Sequence, residues 1–131
     1  MPHITELLQD PATSIAVIGA NDNPSKYGGR VYRDLKAKGF RVFAVNANRD
    51  TVDGDPAFAS LADLPEPPTI VNFVIPPSRT LRVLAKCKEL GLMNAWIQPG
   101  AESDEVIDYL AAEGFNYLAN ACIMVQAPSL A

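Results

Sequence analysis

The sequence predicts an α/β protein: a Rossmann-like doubly wound, mainly parallel sheet with helices on both faces. Three observations predict it. Apolar runs at 14–18 and 69–75 are nearly continuous, as expected of strands buried on both faces. Three helical segments end alike, in Lys38-Gly39-Phe40, Leu90-Gly91-Leu92 and Glu113-Gly114-Phe115. Each glycine leads an apolar residue into a strand, the trace left by repeated βα units with right-handed crossovers. Finally, the first apolar run ends at Gly19, a polar loop comes next, and Gly28-Gly29 open a segment of helical spacing. That strand–loop–helix layout turns backbone amides toward a phosphate.

Taken in order, Ile4, Leu7 and Leu8 have helical spacing and Asp10-Pro11 ends the turn. This short helix is expected to cover a sheet edge. A strand at 14–18 comes next, then a helix at 28–38 with Val31 and Leu35 inward. Its outer pairs Arg30/Asp34 and Asp34/Lys38 stand four apart, and Gly39 caps it. Residues 40–45 read as the second strand. Residues 51–68 are loop-rich: Asp53-Gly54-Asp55-Pro56 is turn chemistry, Ala57-Phe58-Ala59 a short edge strand, and 60–64 one helical turn stopped by Pro65. The strand at 69–75 ends at Pro76-Pro77. Ser78 is the expected N-cap of a helix at 78–90, with Leu81, Leu84, Cys87 and Leu90 on one side. A strand at 95–98 comes after it. Ser103 caps a last helix that turns Val106, Ile107, Leu110 and Ala111 inward, and 115–118 is the final strand. The expected strand order is 3-2-1-4-5-6 with a very short third strand, the alternative being a flavodoxin-like order.

At 131 residues, 48% apolar and 20% charged, the composition is that of one globular domain with a real core. Eleven basic residues against fifteen acidic give a net charge of −4, which argues against nucleic acid as the partner. Cys87 and Cys122 make no disulfide framework, and the single histidine, His3, leaves too few ligands for a usual zinc site. The start MPHITELLQD is not a secretory leader, and no apolar run reaches membrane-spanning length. A cytoplasmic protein with no membrane partner is expected.

In an open α/β sheet the ligand lies beyond the carboxyl ends of the strands. The residues just past each strand therefore form the candidate site. After the first strand come Gly19, Ala20, Asn21, Ser25, Lys26, Tyr27 and Gly28. Asn46, Ala47 and Arg49 stand after the second, and Ile75, Pro76, Pro77 and Arg79 after the fourth. Gln98 and Gly100 come after the fifth, and Cys122 after the last. The set is polar and partly basic, with almost no acid–base machinery. No G-x-G-x-x-G spacing occurs, and no carboxylate ends the second strand to hold a ribose 2′-hydroxyl, so NAD is disfavoured. Arg49 suits a phosphorylated ribose instead, which points to NADP or coenzyme A. Cys87 shares a helical face with leucines and reads as a buried thiol. Cys122 stands on the ligand side, placed to meet a ligand thiol or to be buried in its own right.

Several stretches in order carry a resemblance. They are Ile15-Ala16-Val17-Ile18-Gly19-Ala20 with Pro24-Ser25-Lys26-Tyr27-Gly28, Gly39-Phe40-Arg41-Val42 leading to Val45-Asn46, and Ser60-Leu61-Ala62-Asp63-Leu64-Pro65. The strand end at 73–77, Ala95-Trp96-Ile97-Gln98-Pro99-Gly100 and Cys122-Ile123-Met124-Val125 complete the set. Together they resemble the small stand-alone CoA-binding proteins of Rossmann type and, more remotely, the CoA-binding domain of the succinyl-CoA synthetase alpha subunit. The resemblance covers nearly all of residues 1–131 and implies one CoA-binding domain with coenzyme A as ligand. It implies that Gly19, Ala20, Asn21, Lys26 and Tyr27 line a pyrophosphate loop. Asn46 and Arg49 would lie at the adenosine end, with Ile75 and Pro76 beside the ligand. Asn46-Ala47 departs from the Asn-Pro of many relatives. A binding module without catalysis is the expected function. The alternatives are an NADP-dependent oxidoreductase, for which 131 residues leave no substrate domain, and a nucleotide-binding subunit of an acyl-CoA ligase. That ligase class uses a phosphohistidine, and His3 precedes the first strand. A redox-sensing repressor would need a DNA-binding domain and a basic face.

Overall fold

A computed structural model of the protein describes residues 3–23 and 25–130. Pro24, in the loop after the first strand, lies outside the described residues. The elements are α1 (Ile4–Leu7), β1 (Ser14–Ile18), α2 (Tyr27–Ala37), β2 (Arg41–Val45), β3 (Thr51–Val52), β4 (Asp55–Phe58), a 3₁₀ turn (Leu61–Asp63), β5 (Ile70–Phe73), α3 (Pro77–Leu90), β6 (Asn94–Ile97), α4 (Asp104–Ala112), β7 (Asn116–Ala119) and α5 (Ile123–Gln126). The strands form one sheet in the order β3-β4-β2-β1-β5-β6-β7. Every pairing is parallel except β3 with β4.

Alternate residues of the central strands feed two cores. Ile15, Val17, Ile70 and Trp96 pack against α1, α2 and α5. Ala16, Ile18, Val71, Phe73 and Ile97 pack against α3 and α4. That is why these strands read as unbroken apolar runs. Helices on opposite faces also put a switch point between β1 and β5, which pair Ile15 with Ile70 and Ile18 with Phe73.

Inside the sheet the order agrees with the expectation, with β4 as the short third strand. The outer edge differs: Asp53 and Gly54, both at positive φ, turn a hairpin that adds β3 as an antiparallel edge strand. Lys36 clamps that hairpin, with Nζ 3.1 Å from Asp53 and 2.9 Å from Asp55. These partners raise the lysine pKa, Asp55 most, and depress both carboxyls.

Other local expectations change too. Helix α3 begins at Pro77 with Pro76 as N-cap and no side-chain cap, not at Ser78, because proline's fixed φ and missing N–H suit the first helical position. Helix α1 lies over β6 and β7 with Ile4 and Leu8 fully buried, so it covers a face as well as an edge. Ala111 and Leu90 are exposed. Arg30 stacks over the Tyr27 ring, 5.9 Å from its centroid, leaving Asp34 to Lys38 at 2.8 Å. No helix among the described residues is long and apolar enough to cross a membrane.

Candidate functional site

The site is built around the exit from β1. Gly19 has φ +98°, and a Cβ there would stand 2.5 Å from the Val74 carbonyl oxygen. Only glycine takes this turn and this approach together. Nine residues on, a Cβ on Gly28 would collide with the Gly19 carbonyl, and one on Gly29 with the Asn23 carbonyl. The start of α2 is therefore pressed against the strand end. The loop between is shaped by its own asparagines. Asn21 donates to the Gly19 carbonyl and accepts from the Asn23 amide, and Asn23 accepts from the Ser25 amide and hydroxyl. Lys26 is the N-cap of α2, exposed and without a side-chain cap, and no acid stands in the first turn. The positive end of the helix faces solvent beside a lysine.

The end of β2 is tied to this loop. Asn46 donates to the Ala20 carbonyl at 2.9 Å and accepts from the Asn48 amide at 2.9 Å. Ala47 lines the cleft beyond. Arg49 is already engaged: Nη1 stands 2.9 Å from Asp22 Oδ2, the two side chains being 44% and 38% exposed. Asp22 also accepts the Asp53 amide at 2.6 Å and faces Arg33 at 3.9 Å.

A groove runs along the carboxyl ends of the strands in three joined parts. The middle part is polar and lies against Gly19, Asn21, Lys26, Asn46, Pro76 and Arg79. On the β2 side it opens, through Val45, Asn46 and Arg79, into a cleft of about 370 Å³ floored by Ile18, Val45, Leu61 and Val83. On the β6 side it continues, through Val74, Ile75 and Pro76, into a cleft of about 340 Å³ lined by Tyr27, Pro77, Pro99 and Gly100. Sequence reasoning missed Ser60, Arg82 and Lys86 in the first cleft. The basic pair was legible, since Arg79, Arg82 and Lys86 at i, i+3 and i+7 share one face of α3.

Gln98 and Cys122 sit apart from the open groove. Gln98 is fully buried. Its Oε1 accepts from the Ile123 amide at 2.8 Å and from Asn72 at 3.2 Å, and its Nε2 donates to Cys122 Sγ at 3.5 Å. It is a strut between β5, β6 and α5. Burial pushes the Cys122 thiol up, but hydrogen bonds from Tyr27, Gln98 and the Met124 and Val125 amides outweigh it, leaving the thiol below its ordinary value. The same contact with Cys122, then burial, raises the Tyr27 hydroxyl. Cys87 is the opposite case: buried on α3, its thiol is pushed up to about 12. His3 caps α1, accepting the Thr5 amide. Among the described residues no cluster of three or more His, Cys, Asp or Glu could hold a metal.

A family model described as CoA binding domain matches residues 13–128. The chain belongs to that family. It is 34% identical over 79 residues to the alpha subunit of the ADP-forming acetate–CoA ligase II of Pyrococcus furiosus, an alignment covering 60% of this chain and 17% of that protein. The chain thus spans about a sixth of the length of this curated relative. Two solved structures match it along most of both chains. A conserved hypothetical protein of Pyrococcus furiosus is 40% identical with TM-score 0.83, covering 87% of this chain and 98% of that one. A Thermus thermophilus protein is 34% identical with TM-score 0.82, covering 96% of each.

Proposed function

We propose that this CoA-binding domain holds coenzyme A or an acyl-CoA and performs no chemistry of its own. The observation that carries this reading is the three-part groove. Its middle offers an open helix N-terminus, a glycine loop and Lys26 to a pyrophosphate. One end is an apolar cleft for adenosine beside Asn46 and Ala47. The other, between Tyr27, Pro76 and Gly100, suits the pantetheine arm, with Cys122 behind Tyr27. Among the described residues the polar lining side chains are arginine, lysine, asparagine, serine and tyrosine, with no carboxylate to pair with a base, so the groove is equipped to bind rather than to transform.

Native mass spectrometry of the purified protein should show a CoA adduct, and titration calorimetry should give saturable CoA binding. Lys26→Ala should weaken that binding by about 1–2 kcal/mol, the scale of a lost charge-assisted contact. Unchanged affinity would remove Lys26 from the site, and steady-state turnover of an acyl-CoA, ATP or NADPH would overturn the binding-only reading. The likeness to an acetate–CoA ligase subunit supports a second reading, a nucleotide-binding part of such a ligase. On that reading turnover would appear only when further ligase domains or subunits are added.

A further inference from the structure

We propose that Arg79 and Arg82 of α3, rather than Arg49, hold the phosphate on the ribose of the bound coenzyme. This rests on the coenzyme A reading and assigns the residues that tell CoA from its dephosphorylated form. Two observations carry it. First, Arg49 is spent on the loop: it pairs with Asp22 at 2.9 Å, and Asp22 in turn holds the amide of Asp53 at the hairpin. Drawing Arg49 to a ligand would cost the ion pair that ties the loop after β2 to the loop after β1. Second, Arg79, Arg82 and Lys86 project from one face of α3 into the cleft beside Asn46. Among the described residues neither Arg79 nor Arg82 has an ion-pair partner, and Lys86 has only Glu89 at 3.6 Å.

The cleft matches a nucleoside monophosphate in kind. Its floor is apolar, for a base, and its wall is a cationic row, for a phosphate. It joins the glycine loop through Val45, Asn46 and Arg79, as an adenosine joined to a pyrophosphate requires. Guanidinium groups grip a phosphate monoester by paired hydrogen bonds, and free arginines give up no existing bond to do so.

The test compares CoA with dephospho-CoA by titration calorimetry at fixed salt, on the unmodified protein, on the double variant Arg79→Gln/Arg82→Gln and on Arg49→Gln. Both α3 arginines are exposed, so the double variant should fold, and a thermal melt checks that it does. The unmodified protein should prefer CoA by about tenfold to a hundredfold. The double variant should lose that preference, CoA binding falling about tenfold to a hundredfold further than the binding of dephospho-CoA, which shares the pyrophosphate beside Arg79, while Arg49→Gln keeps it. A preference that survives in the double variant, or vanishes in Arg49→Gln alone, overturns the assignment. Equal binding of both ligands to the unmodified protein also overturns it, while leaving the coenzyme reading intact. Binding of neither ligand overturns that reading and this inference with it.

Discussion

Gly28 does more than begin a helix. Its φ is ordinary, so alanine there would raise intrinsic helix propensity by about 1 kcal/mol. The Gly19 carbonyl stands where its Cβ would go, and that oxygen belongs to backbone that β1 and β2 hold in register, with the Gly19 amide donating to Val45. A collision with backbone cannot be relieved by a rotamer. Gly28→Ala should therefore destabilise the protein by about 1–3 kcal/mol despite the propensity gain, read as a lower urea midpoint at unchanged m-value. A midpoint at or above that of the parent would show that α2 can shift off the strand end. The two cysteines teach the same lesson of context: burial raises the thiol on α3, while hydrogen bonds lower the one behind Tyr27.

The helices differ in how their ends are satisfied. Helix α4 starts with its own cap, Ser103 Oγ accepting the Val106 amide at 3.2 Å, and carries Asp104 and Glu105 in its first turn. Ser103→Ala should cost about 1 kcal/mol, a Tm loss of about 2–8 °C in a chain of this size, with CoA affinity unchanged because α4 lies away from the groove. A change in affinity would mean that the α4 turn reaches the ligand. Helices α2 and α3 lack side-chain caps, and both begin at the groove. Helix α5 stands outside periodicity altogether. Four residues are too short to show a pattern, and tertiary ties place it: Gln98 takes the Ile123 amide, Trp96 donates to the Ala121 carbonyl, and the Leu130 amide donates to the Lys38 carbonyl.

At the scale of the molecule, helices change faces between β1 and β5, and the groove opens at that change. A ligand lying along it touches loops after β1, β2, β5 and β6 together. Binding should therefore stabilise the whole sheet. At a hundred times its Kd, CoA should add about 2.7 kcal/mol, visible as a Tm rise of several degrees that grows with the logarithm of CoA concentration. A Tm indifferent to CoA would mean that the groove does not take it in the folded state.

Periodicity and punctuation determined the α/β class, the buried parallel strands and the position of the glycine loop, while the choice between the Rossmann-like and flavodoxin-like orders was made by the tertiary structure. Periodicity and punctuation are local: buried parallel strands must be apolar on both faces, and Gly39, Gly91 and Gly114 must supply positive φ where helices end. Many residues flanking the groove were legible for the same reason, because strand ends in such a sheet are where a ligand is expected; Ser60, Arg82 and Lys86 were missed. Tertiary structure alone decided the rest. Antiparallel β3 depends on a hairpin held by Lys36 from another element, so its own two residues carry no signal. Burial of Gln98 was invisible because its partners, Asn72 and Ile123, are 26 and 25 residues away in sequence. And Arg49 and Arg82 look alike in the chain. Which of them is free depends on where Asp22 lies, 27 residues from Arg49 in sequence and 2.9 Å in space.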